Sequence, residues 1–265
     1  MSRGLSAASA LAALVLLSAP FASAFQKEAG PIRDCRECHT MTPEEAGKIL
    51  GGAVDNVVAV LPGPIPGIWE VDVEKDGKIY PLYLDYSGKH LVNGQIIRMS
   101  DRQNLTGERY TDLNRIDLST IPLEGAVLLG NPKAARKVIV FDDPDCPWCR
   151  KLHGEIRKIV AERTDVAFLV RVYSRNGNPA SEEKARSIVC GKEEAAKRLD
   201  DAFAGKALPE AKCGTDAVEV TARTAERLGI HGTPAMVLPD GRLISGYLDA
   251  DSLLELLAER PAAQE

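Results

Sequence analysis

Two C-x-x-C motifs lie more than a hundred residues apart: Cys35-Arg36-Glu37-Cys38, followed directly by His39, and Cys146-Pro147-Trp148-Cys149. The second is the easier to place. The short apolar run Val138-Ile139-Val140-Phe141 precedes it, and Leu152, Ile156, Ile159 and Val160 follow at helical spacing. That pattern puts the motif at a strand-to-helix junction. Cys146 then falls at the N-cap, and Pro147 at the first helical position, where its missing N–H is no loss. Cys149 stands three residues on, on the same face. The unpaired N–H groups of the first turn and the helix dipole favour a Cys146 thiolate. Such a thiolate attacks a substrate disulfide, and Cys149 resolves the mixed disulfide. The competing readings are a structural disulfide, or half a zinc site with His153 on the same helix as the nearby candidate ligand. Trp148 is either packing or an apolar surface offered to an unfolded chain.

Cys35, Cys38 and His39 fit C-x-x-C-H, the pattern of covalent haem attachment. Met41, His90 and Met99 are available as a distal ligand, but no compact cytochrome pattern surrounds the motif. The same three residues supply three ligands of a four-ligand metal site, or a dithiol that closes in an oxidising space. The expectation here is a reversible Cys35–Cys38 disulfide with His39 nearby, no haem in the working protein and no bound metal.

The start of the chain sets the compartment. Arg3, an apolar run around residues 8–17 and Ala22-Ser23-Ala24 have the form of a secretory signal peptide cleaved near Ala24. The apolar core is short for a membrane span, which needs about 20 residues. A bacterial periplasm is expected, where six cysteines favour disulfides over free thiols. Thirty-eight acidic residues against 33 basic ones give a net charge of −5, which argues against nucleic acid or an anionic membrane as the main partner.

The elements that must hold these residues are legible in outline. Thr42-Pro43-Glu44-Glu45 reads as a capped helix start, with the helix ending at Gly51-Gly52. Alternating segments at 69–73 and 79–84 flank Asp76-Gly77, the pattern of a β-hairpin. Residues 90–92 and 94–97 read as continuing that sheet. The small α+β unit of residues ~40–98 has a limited core, and pairing with a second copy is a natural remedy. Residues 100–120 read as a connecting helix. From Ala126 the order strand, strand, helix, strand, helical stretch over 179–228, strand, strand, helix is an α/β layout.

The run from Phe141 to Cys149, and Gly232-Thr233-Pro234-Ala235 before a late strand, resemble the DsbC/DsbG family of periplasmic thiol:disulfide interchange proteins. Residues 67–92, with Asp85-Tyr86-Ser87-Gly88-Lys89-His90, are similar to that family's N-terminal cystatin-like dimerisation domain. The resemblance implies an α+β fold of two domains: signal peptide 1–24, dimerisation domain 25–99, linker helix 100–122, and thioredoxin-fold catalytic domain 123–265 with a helical insert. It implies Cys146 as the attacking and Cys149 as the resolving cysteine, supported by Pro147 and Trp148. Thr233 and Pro234 match the loop whose cis-proline receives substrate backbone. Cys190 and Cys213 match a structural disulfide, with a second redox pair as the alternative. The implied activity is isomerisation or reduction of non-native disulfides in exported proteins by a homodimer without cofactor, kept reduced by a membrane thiol-disulfide reductase of DsbD type. Pro147-Trp148 is closer to the DsbG-like Pro-aromatic pair, which keeps a reductase that protects single thiols open. The opening motif departs from the best-known members. Two other classes stay open: a haem-bearing or second-dithiol electron relay through Cys35, Cys38 and His39, and a holding chaperone.

Overall fold

The computed structural model describes residues 39–258. The segment 1–24 expected to be a signal peptide, Cys35 and Cys38 lie outside the described residues.

Helix α1 (Pro43–Leu50) opens with the capping box that its sequence implies. The Thr42 hydroxyl accepts the Glu45 N–H at 3.2 Å, and the Glu45 carboxylate accepts the Thr42 N–H at 2.8 Å. Four antiparallel strands follow in the order β1 (Asn56–Pro62), β2 (Ile68–Lys75), β3 (Lys78–Asp85) and β4 (Leu91–Val92). β2 and β3 close on Asp76-Gly77, both with positive φ, as a two-residue hairpin with right-handed strand twist requires. Ala46, Trp69, Val71, Val73 and Leu84 form a small separate core beneath this sheet.

Three features differ from the sequence reading. β1 is an additional edge strand, half-exposed along its length, so its apolar residues show no clean alternation. Residues 94–97 do not continue the sheet. Asn93-Gly94 breaks the line, and β5 (Ile97–Arg98) pairs instead with β6 (Gln103–Asn104) as a two-stranded ribbon, with Ile96 N–H donating to Thr106 Oγ1. The helix expected over 100–120 is shorter: α2 spans Leu105–Leu113, because Asn104 caps it by accepting the Gly107 N–H and the chain turns out at Asn114.

The second lobe comprises β7 (Val127–Gly130), β8 (Arg136–Asp142), α3 (Pro147–Glu162), β9 (Val166–Val172), α4 (Pro179–Val189), α5 (Ala195–Phe203), α6 (Ala217–Arg227), β10 (Ala235–Val237), β11 (Leu243–Ser245) and α7 (Ala250–Ala258). Its sheet runs β11-β10-β8-β9-β7. Only β8 and β9 are parallel, joined by a crossover through α3. Helices bury both faces, so the central strands carry unbroken apolar runs.

The two lobes meet at the end of α2. The Asn114 side chain accepts from Ile79 N–H at 3.0 Å and donates to Ile79 O at 2.7 Å, tying the helix to β3. Ile116 N–H donates to Gly241 O at 2.7 Å. A Cβ on Gly241 would stand 2.5 Å from the Ile116 carbonyl oxygen, so this backbone approach requires glycine.

Candidate active site

β8 ends beneath the start of α3, and that junction sets the sulfur geometry. Cys146 is the N-cap of α3, extended at φ −78° and ψ 122°, with Pro147 in the first turn. Its N–H donates to Asp143 O at 3.0 Å. The Cys149 N–H points at Cys146 Sγ, 3.5 Å away, so a first-turn donor serves the sulfur as it would a capping oxygen. Cys146 is half-buried and Cys149 is buried; both are free thiols.

β10 aligns Ala235 with Phe141 of β8, which brings residues 233–234 alongside the motif. The Thr233–Pro234 peptide is cis. The Cys146 thiol donates to Thr233 O at 3.3 Å. Pro234 O is already taken by Gly246 N–H at 2.8 Å. Trp148 is 53 % exposed, with the Tyr247 ring 6.0 Å away and Lys151 Nζ 4.2 Å over its centroid. An aromatic surface therefore flanks the half-buried sulfur.

Two carboxyl groups before Cys146, within the run from Phe141 to Cys149, have no role assigned from sequence. Asp143 is a bracket for the loop. One of its oxygens accepts from Asp145 N–H at 2.9 Å and Ser181 Oγ at 2.5 Å, the other from Arg175 N–H at 2.9 Å. Lys184, one turn after Ser181 on α4, pairs with Asp145. The helical insert thus grips Asp143 and Asp145, two of the three residues that precede Cys146. Asp142 is different. It is fully buried, and neither oxygen has a hydrogen-bond partner of full geometry. The Cys149 thiol faces it. Burial chiefly, with the Asp143 charge adding, pushes the Asp142 carboxyl up to about 7, against the pull of the Cys149 thiol. Burial and the adjoining Asp142 carboxyl push the Cys149 thiol far up, so it stays protonated at neutral pH. Burial and the Asp143 charge also push the Tyr173 hydroxyl up to about 12.

His153 is turned away from the sulfurs. It is buried with Nε2 2.7 Å from Asp200 Oδ1 and its ring against Phe203. It is not a zinc partner of the motif, and no cluster of three metal-ligating side chains occurs among the described residues.

Cys190 and Cys213 form a disulfide that joins the end of α4 to the segment before α6, with Cα atoms 5.6 Å apart. The bridge spans 23 residues, for which the loop-entropy estimate is about 3 kcal/mol. Replacing both by alanine is expected to lower unfolding stability by about that amount, read from urea midpoints at constant slope. An unchanged midpoint would mean that the insert is held by packing alone.

The chain matches two family models: a thioredoxin-like domain over residues 130–260 and a disulfide bond isomerase protein N-terminal domain over residues 44–107. It is 30 % identical to the thiol:disulfide interchange protein DsbC of Escherichia coli K12 over 204 residues, 76 % of this chain and 80 % of that protein. A probable DsbC of Bordetella parapertussis is also 30 % identical over 198 residues, 75 % of this chain and 67 % of that one. Among solved structures, a disulfide interchange protein of Neisseria gonorrhoeae is 31 % identical, covering 53 % of this chain and 98 % of its own, with a TM-score of 0.46.

Proposed function

The chain belongs to the DsbC-type thiol:disulfide interchange family, and from that premise we propose that Cys146 and Cys149 are the pair through which it acts. The observation that carries the assignment is Cys146 Sγ at an N-cap, 3.3 Å from the carbonyl before a cis-proline. Cys146, as thiolate, attacks a substrate disulfide. One sulfur of that disulfide bonds to Cys146 and the other leaves as thiolate. The mixed disulfide then has two exits. Another thiol of the substrate displaces Cys146, which is isomerisation. Alternatively, Cys149 displaces the substrate and closes Cys146–Cys149, which is net reduction. Extended substrate backbone lies along residues 233–234, and Trp148 with Tyr247 offers an apolar face to an unfolded segment.

The working form in this reading is a periplasmic homodimer. Residues 25–99 pair two copies, 100–122 link, and 123–265 carry the chemistry. The match of residues 44–107 to an isomerase N-terminal domain and the small core of that lobe support it. Substrates are mis-paired exported proteins, and a membrane reductase of DsbD type reopens the Cys146–Cys149 pair. Sulfur exchange needs no cofactor, and Cys35, Cys38 and His39 are assigned to a second dithiol rather than to haem.

The test is refolding of a scrambled multi-disulfide protein in a glutathione buffer. The full chain is expected to accelerate recovery of native activity, and to sediment as a dimer. A chain beginning near Leu118 is expected to be monomeric and to reduce without isomerising. No acceleration by the full chain would overturn the assignment. A visible haem band, or a monomeric full chain, would overturn the dithiol or dimer part alone.

A further inference from the structure

Lysine and arginine side chains on α3 are of two kinds. Farther along the helix, Arg157 pairs with Asp200 and Lys158 with Glu155. Arg150 and Lys151, next to the sulfurs, are exposed and have no carboxylate partner among the described residues. Arg150 N–H donates to Cys146 O at 3.1 Å, so Arg150 stands one turn below Cys146 on the same face. Its side chain leans back toward the helix N-terminus, as helical side chains do. Lys151 stands one turn below Trp148, and that exposed ring holds its ammonium 4.2 Å over the centroid. Arg175 adds a third exposed cation without a carboxylate partner, from the loop after β9; its N–H anchors it to Asp143. Lys78 adds a fourth from the first lobe, at the turn ahead of the cis-proline: a Cβ on Gly229 would stand 2.5 Å from its Nζ. The carboxylates of the region are engaged. Asp145 pairs with Lys184, and buried Asp143 accepts from three donors. Glu155 holds Lys158 and the Ala250 N–H, and Asp249 accepts the Ser252 N–H. The free charge facing solvent around Cys146 is therefore positive, on a chain whose total is −5.

We propose that this cationic rim selects cysteines flanked by acidic residues, with Arg150, Lys151 and Arg175 as specificity-determining side chains. The preferred substrates are then disulfides in anionic segments of unfolded chains. This rests on the assignment of Cys146 and Cys149 made above and names the substrate class of that site. A client strand advances about 3.3 Å per residue. Side chains within roughly two places of its cysteine therefore fall inside the Debye length of the rim, about 8 Å at physiological ionic strength. At that range exposed charges act on the rate of encounter and on register. Trp148 with Lys151 above it suits a pair of client residues, one apolar against the ring and one carboxylate at the ammonium. The Cys146 thiolate itself repels a carboxylate, and the rim cations outnumber it. Acidic neighbours also raise the pKa of a client thiol, which makes it a poorer leaving group. Disulfides in acidic surroundings thus exchange slowly with small thiolates, and the rim favours those same disulfides.

The experiment uses the full-length chain with Cys149→Ala, in which adducts on Cys146 accumulate. Three short peptides share one sequence with a single cysteine, flanked by Glu, Gln or Lys, and each is supplied as its symmetric disulfide. The Cys146 thiolate attacks one peptide sulfur, the Cys146–peptide bond forms and the peptide–peptide bond breaks. The second peptide leaves as thiolate and takes a proton from water. Mass spectrometry of acid-quenched samples gives the rate of adduct formation. Each rate is divided by that of the same peptide with 2-mercaptoethanol, which removes the leaving sulfur's own reactivity. With the native rim, the Glu peptide is expected to react about tenfold faster than the Lys peptide at about 0.1 M salt, and within about twofold of it at about 1 M. Arg150→Gln/Lys151→Gln should reduce the preference, and Arg150→Glu/Lys151→Glu should reverse it. If no peptide forms an adduct, the Cys146 assignment fails. If adducts form at equal rates, or the Lys peptide is preferred, or the preference survives 1 M salt, selection by charge is overturned and the assignment stands. Equal slowing of all three peptides in the rim variants, with the ratio unchanged, would also overturn it, since the cations would then serve the thiolate alone. The ratio with the native rim and its salt dependence test the proposal whether or not the rim variants fold.

Discussion

Replacing Cys146 by alanine is expected to abolish thiol:disulfide exchange, leaving refolding of a scrambled substrate at the rate of the buffer thiols alone. The loss should be complete because no other sulfur in this lobe can stand in. Cys149 is buried and its thiol is pushed far up, so it can neither meet a substrate nor ionise in the resting enzyme. Cys190 and Cys213 are bonded to each other. Cys149→Ala should behave in the opposite sense. Attack by Cys146 continues, net reduction stops, and mixed disulfides accumulate as covalent adducts on non-reducing gels. Adducts in the Cys146→Ala protein and none in Cys149→Ala would reverse the two roles.

Asp142→Asn is expected to stabilise the reduced protein at pH 8 by about 4 kcal/mol, and to change nothing at pH 4. The carboxyl is fully buried and moves from an ordinary value near 4 to about 7 on folding. The folded chain therefore holds this proton more tightly than the unfolded one. The favourable contribution is fully present below about pH 4 and is lost as pH rises through 7. Above that, the ionised group costs about 1.4 kcal/mol for each pH step between the unfolded and folded values. Asparagine cannot ionise and escapes the penalty. Urea unfolding of both proteins at the two pH values gives the difference. A gain that is equal at pH 4 and pH 8 would show that packing, not ionisation, is responsible.

The visible and hidden parts of the site separate along physical lines. Thr42, Pro43 and Glu45 specify a helix start through contacts within four residues, and Asp76-Gly77 specifies a hairpin through positive φ; both are local and both are readable. Cys146-Pro147-Trp148-Cys149 is equally local, since a strand before and a helix after are enough to put one sulfur at an N-cap. Asp142 does not stand out in the sequence, because Asp142-Asp143-Pro144-Asp145 is a polar run. The structure carries β8 through Asp142, which pairs with Val172, and its side chain is fully buried. Strand alternation from Val138 and Val140 is the available signal, and the polarity of the run masks it. The bracket around Asp143 depends on Ser181, Arg175 and Lys184, more than thirty residues away in sequence. β1 escapes a reading of the sequence because an edge strand with one face half open has no period to detect. The 94–97 segment fails in another way: its residues favour extended structure, and which partner they meet is decided by Thr106 and the turn at 99–102.

The Cys190–Cys213 bridge also bears on the order in which thiols meet as the chain is made. Synthesis delivers the N-terminus first. In the described part, the next cysteine to emerge after Cys146 is Cys149, and the next after Cys190 is Cys213, so neither loop crosses the other. Pairing of each new thiol with its immediate predecessor, taken strictly in turn by an external disulfide that accepts the two electrons, closes both pairs correctly. A protein that repairs tangled pairings in others is itself wired so that simple sequential oxidation produces no tangle.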